Sequence, residues 1–84
     1  MTGKIFRINR PKQMIAILTA NGDFSVFENI GELEFEIDDE VSWENDNGVG
    51  GQRLHNITQQ RDVDVYFENH QVSKEILKVQ LRES

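Results

Sequence analysis

Residues 14–27 read MIAILTANGDFSVF. Two short apolar runs flank Asn21-Gly22, a pair that readily supplies the positive φ angles of a tight hairpin turn. The stretch therefore predicts two antiparallel strands, MIAIL (14–18) and FSVF (24–27). Side chains alternate along a strand, so Ile15 and Ile17 share one face and Met14, Ala16 and Leu18 the other. Phe24 and Val26 likewise oppose Ser25 and Phe27. One face of this hairpin lines a core, and the other must meet something else.

Outward from the hairpin, KIFRINR (4–10) reads as strand, broken by Pro11 and Lys12. ELEFEID (32–38) alternates strictly, with Leu33, Phe35 and Ile37 on one face. It reads as a strand, or as an extended loop pinned by its apolar side chains. EVSWE (40–44) sets Val41 and Trp43 on one face, which predicts a buried Trp43. NDNGVGG (45–51) reads as a turn, and QRLHNIT (52–58) and DVDVYFE (62–68) as two further strands. The tail changes period. Ser73 is placed to cap a short helix through SKEILKVQLRE. Val72 and Leu77 stand at hydrophobic-staple spacing, and Ile76, Leu77 and Leu81 form an apolar stripe. Short strands with turn signals between them predict a mainly β, antiparallel barrel.

Composition narrows the function. The 84 residues suffice for one small domain. There is no cysteine, so disulfides and thiolate metal sites are excluded. MTGKIFRINR lacks the apolar core of a signal peptide, and no run is long enough to span a membrane; both predict a soluble, cytoplasmic protein. The net charge is −6, but it is unevenly spread. Residues 1–22 carry Lys4, Arg7, Arg10 and Lys12 and no acid, whereas residues 23–50 carry acids and no base. Such sorting either builds a local positive patch or simply solubilises a small barrel.

The stretches GKIFRIN (3–9), MIAIL (14–18), FSVFE (24–28), DDEVSWE (38–44) and GQRLHNIT (51–58), in this order, resemble the cold-shock domain. Gly3-Lys4-Ile5 with Asn9 is similar to that family's first strand, Val41-Ser42-Trp43-Glu44 to its fourth, and Gly51 with Asn56-Ile57-Thr58 to its fifth. The resemblance implies a small five-stranded antiparallel OB-type barrel over residues 1–58. A C-terminal extension, 59–84, would add an extra strand and a short helix to the same domain. It also implies that Ile15, Ile17, Phe24 and Val26 face the interior. The opposite face of strands one to three would bind single-stranded RNA or DNA by stacking bases on aromatic rings between basic groups.

On that face this sequence departs from the family pattern. The strand-one aromatic falls at Arg7, and the two phenylalanines of strand two fall near Met14 and Ala16. Ile15 replaces the glycine between them, and the strand-three Phe and His fall near Ser25 and Phe27. Phe27 keeps a ring on the face, as does Phe6 if the first strand bulges. Losing two platforms at about 1.5 kcal/mol each weakens binding on the order of a hundredfold. The residues expected to touch nucleic acid are Lys4, Arg7, Arg10, Lys12, Met14, Ser25 and Phe27. The alternative is a protein-interaction module whose aliphatic face meets a partner, a second copy, or its own C-terminal helix. No nucleophile–base pair, cofactor motif or metal-ligand set is legible, so an enzyme is not expected. His55 reads as a half-buried structural residue, His70 as surface, and Asp62 with Asp64 as a solvated face.

Overall fold

A computed structural model describes residues 1–44 and 48–82. Asn45–Asn47, in the expected turn, and Glu83, at the end of the expected helix, lie outside the described residues. Among the described residues six strands form: β1 (Thr2–Asn9), β2 (Met14–Thr19), β3 (Phe24–Asn29), β4 (Glu40–Ser42), β5 (Gly50–Asn56) and β6 (Arg61–Val72). One helix, α1 (Lys74–Gln80), follows, and a 3₁₀ turn at Arg10–Lys12 carries Pro11 between β1 and β2. The strands close a barrel in the order β1-β2-β3-β6-β5-β4, and each neighbouring pair is antiparallel. The extra C-terminal strand is therefore a stave of the barrel, seated between β3 and β5. The boundary expected at residue 58 falls inside the closed sheet. No helix among the described residues is long and apolar enough to cross a membrane.

The β2–β3 hairpin forms, with a register the sequence reading did not anticipate. Thr19 N–H donates to Asp23 O at 2.9 Å, and Gly22 N–H to Thr19 O at 3.0 Å. The loop thus holds three residues, Ala20–Gly22, and Gly22 alone among them takes a positive φ, +88°. This is the type I turn followed by a left-handed residue that three-residue hairpins favour. A two-residue Asn-Gly turn would set Ile17 opposite Val26. Here Ile17 pairs with Ser25, Ile15 with Phe27 and Leu18 with Phe24. One extra loop residue turns every β3 side chain to the other face. The expectation that Phe24 and Val26 face inward is corrected: Phe27 lies inside, and Phe24 and Val26 lie outside.

Two apolar clusters result. Ile5, Ile15, Ile17, Phe27, Val41, Trp43, Leu54, Val63, Val65 and Phe67 fill the barrel. Residues 33–36 form no strand, and Leu33 and Phe35 plug the interior from an extended loop, Phe35 edge-on to Phe27 at 5.3 Å. Ile37, at the following turn, points to solvent. Trp43 is buried against Phe67, as the alternation predicts. The second cluster sits outside the barrel wall: Met14, Ala16, Phe24 and Val26 meet Val72, Leu77 and Leu81. The staple pair Val72 and Leu77 is buried there, while Ile76 leaves the expected stripe and faces water. Ser73 holds the N-cap position in extended conformation, with no side-chain hydrogen bond to the helix.

β1 bends through a bulge between Ile5 and Arg7 that leaves Phe6 without a partner on β2. The turn before β4 grips this point, with Asp38 N–H donating to Ile5 O and Ile5 N–H to Asp39 O. The Asp39 carboxylate ties the corner. Its Oδ2 accepts from Asn56 Nδ2 at 2.9 Å, Glu36 N–H at 3.0 Å and Gln59 Nε2 at 2.7 Å. Burial alone would raise the Asp39 pKa. Donors from Asn56, Glu36 and Gln59 outweigh it and hold the carboxyl below its ordinary value. Gly3 is required where β1 crosses β2, since a Cβ there would lie 2.5 Å from Ile17 Cγ2 and 2.6 Å from Leu18 O.

Two outcomes check this architecture. Phe27→Ala is expected to cost about 3–5 kcal/mol in denaturant unfolding, as emptying a packed aromatic site does; a surface-like loss below about 1 kcal/mol would reverse the β3 assignment. Because the Asp39 pKa is lowered on folding, its contribution is complete above the ordinary Asp value of about 4 and drains away below it. Asp39→Asn should therefore cost about 2 kcal/mol at neutral pH, with the gap to the parent narrowing as pH falls through that range.

Candidate nucleic-acid interface

The seven residues expected at the interface divide into an exposed basic group and a buried group. Lys4 stands on the outer face of β1, beside Leu18 of β2 and Glu40 of β4. Arg7 stands on the same face beside Ala16, and Lys12 is exposed on the 3₁₀ turn. Arg10 is turned toward the acidic loop. Its Nη1 lies 3.4 Å from Glu34 Oε1, and its Nη2 lies 3.5 Å from Glu36 Oε2 and donates to Phe35 O. Such exposed pairs contribute about 0–1 kcal/mol, so Arg10 gives up little to leave them.

Three expectations are corrected. Met14 is only 1% exposed, covered by the outer cluster. Ser25 is 2% exposed and Phe27 fully buried, because the hairpin register turns both inward. None of the three can reach a base from these positions. Leu77 of α1 and Leu81, the residue that ends it, pack onto the outer face of β2 and β3. The C-terminal segment thus covers, in the same chain, the β2–β3 part of the outer face, with Met14 and Ala16 beneath it. Burying the two leucines is worth about 3–6 kcal/mol. Polar ties join this segment: Asn9 Nδ2 donates to Leu81 O at 2.8 Å, Asn69 Nδ2 to Gln80 Oε1 at 3.5 Å, and Arg82 lies 3.7 Å from Glu68.

What stays open is the margin along β1. The bulge swings Phe6 onto the outer face, where its ring is 36% exposed and tilts against Phe24 at 4.9 Å. Lys4 and Arg7 flank it. Lys4 and Leu18 also line a hollow of about 450 Å³ with Glu40, Val41 and Ile57. Phe24, expected inside, is the missed member of this site. Its signal was in the sequence, since a three-residue turn at Ala20–Gly22 also fits Asn-Gly.

The two histidines exchange their expected places. His55 is exposed on β5, its Nδ1 2.6 Å from Asp62 Oδ1 on β6. Asp64, next on that face, pairs with Arg53 at 3.0 Å. Among the described residues, no three His, Asp or Glu side chains gather as a metal would need. His70 turns inward because β6 bulges against β3, slipping register on both sides of Val26. Its ring stacks on Phe67 at 4.8 Å and lies parallel to Trp43 at 6.4 Å. Gly48 O, 2.7 Å away, can only accept, so Nε2 carries the proton and Nδ1 accepts from Ser25 Oγ–H at 2.8 Å. A serine hydroxyl this buried cannot meet a substrate, so the pair is a structural tie rather than a nucleophile and its base.

Comparison with protein-family models, curated proteins and solved structures finds no match.

His70→Phe keeps the ring stack but strands the Ser25 hydroxyl, and is expected to cost about 1–3 kcal/mol in denaturant unfolding. Adding Ser25→Ala should then cost little more, because the group left unpaired is gone. Fully additive losses would show that the two side chains act separately.

Proposed function

We propose that this chain is a non-enzymatic binding module that takes single-stranded RNA or DNA weakly on the outer face of β1–β3. The observation that carries this reading is the ring of Phe6, raised by the β1 bulge against Phe24 between two basic side chains. An exposed ring beside Lys4 and Arg7 is the minimum stacking-and-phosphate unit that single strands use. One ring contributes about 1–3 kcal/mol per base, and the bases nearby are few. Binding on this reading is shallow, salt-sensitive and nearly blind to sequence. The cysteine-free sequence suits a reducing, cytoplasmic setting.

A second reading has its own observation. Ile76 and Val79, one turn apart on α1, are 46% and 73% exposed. An apolar pair on the outside of a short helix favours a protein partner, or a second copy of the chain, at the C-terminal side.

The test is an NMR amide titration with a mixed-sequence single-stranded DNA and the matching RNA, at low and then physiological salt. Shifts should centre on Lys4–Arg7, Leu18 and Phe24 and fade as salt rises. Phe6→Ala should weaken binding about tenfold. No shift with either oligonucleotide at low salt would remove the nucleic-acid reading and leave the protein-partner one.

A further inference from the structure

We propose that α1 is a lid over the ligand face, so that single-stranded nucleic acid and the helix compete for the same surface. The proposal rests on the binding reading above and adds its regulation. Three features of the molecule carry it. First, the cluster under α1 is separate from the barrel core. Met14, Ala16, Phe24 and Val26 point away from the interior, and the staves close on one another without the helix. Lifting α1 therefore leaves the barrel's own packing in place.

Second, the helix is weakly fixed by itself. It spans seven residues, below the length at which a helix is stable alone, and Ser73 makes no capping bond. It joins the barrel through Ser73 alone, in extended conformation, directly after the last residue of β6. Among the described residues, Asn9, Asn69 and Glu68 tie the C-terminal end of this segment to the barrel. Its hold on the barrel therefore rests mainly on burying Leu77 and Leu81, an apolar contact that another apolar or aromatic surface can replace.

Third, the lid half-covers an aromatic pair. Phe6 is 36% exposed while its partner Phe24 is buried in the cluster that includes Leu77. With α1 raised, Phe6 of β1 and Phe24 of β3 form an exposed pair of tilted rings that meet across β2, bordered by Met14, Leu18, Lys4 and Arg7. The closed state offers one ring to a base, and the open state offers two. A ligand that prefers the open state shifts the population toward it, and the closed population lowers the apparent affinity in proportion.

Amide hydrogen exchange on the full chain tests this, with and without a mixed-sequence single-stranded DNA of about eight nucleotides at low salt. On adding DNA, amides of residues 77–81 should lose protection while those of 14–18 and 24–27 keep or gain it. A full-length variant carrying Leu77→Ser and Leu81→Ser, which loosens the helix without adding charge, should bind about tenfold tighter or more. DNA that binds the parent while helix protection stays or rises overturns the lid and leaves the binding reading standing. So does a variant with a loosened helix, an intact barrel and unchanged affinity. If the variant does not fold, the exchange measurement on the parent still decides. Absence of binding to both proteins at low salt overturns the binding reading itself, and the lid with it.

Discussion

The hydrogen bond from Thr19 N–H to Asp23 O fixes which side of β3 is inside. Everything downstream depends on that register. It sends Phe27 into the barrel, where Phe35 and Phe67 pack around it. It sends Phe24 and Val26 to the outer wall, where an apolar surface would meet water. A small barrel cannot leave such a wall bare at no cost, and α1 supplies Leu77 and Leu81 to cover it. The helix is thus a consequence of the turn: without the outward Phe24 and Val26 there is little for a seven-residue helix to dock on.

The same wall is where a cold-shock-like barrel would hold a single strand. Covering it changes the balance between stacking and electrostatics. Phe6 remains partly exposed because the β1 bulge shifts it out of register, with Lys4 and Arg7 near it on the same strand. The face is neither fully open nor fully closed. Its exposed part is basic with one aromatic ring, and its covered part is apolar with another. The two apolar clusters lie on opposite sides of a sheet one layer thick, which is the arrangement the proposed competition starts from.

Polar groups hold the barrel where apolar packing ends. Asp39 gathers Asn56, Gln59 and the Glu36 amide at the corner where the plug loop meets β4 and β5. His70 does the equivalent work toward the other end of the barrel, joining Ser25 to Gly48 and capping the Trp43–Phe67 stack. Asp39 is buried and His70 half-buried, and each is satisfied by partners far off in sequence, which is why each is costly to remove.

Local chemistry in the sequence determined the strands, the hairpin at Asn21-Gly22, the buried Trp43, the plug residues Leu33 and Phe35, and a tail helix with Val72 and Leu77 inward. Each follows from period, turn residues or capping within a few positions, and needs no distant partner. Tertiary structure decided the rest. Whether Asn-Gly serves a two- or a three-residue loop depends on which register lets both strands pack, and one residue of slip inverts a face. The bulges that expose Phe6 and turn His70 inward depend on β1 fitting β2 and β6 fitting β3. β6 belongs in the barrel because β3 and β5 each need a partner, a demand made by strands separated from it along the chain. The basic residues of the candidate site were legible because charge on a strand next to Pro11 has nowhere to go but solvent. The buried ones were not, because a side chain's face is set by the pairing of strands, and pairing is a property of the closed sheet.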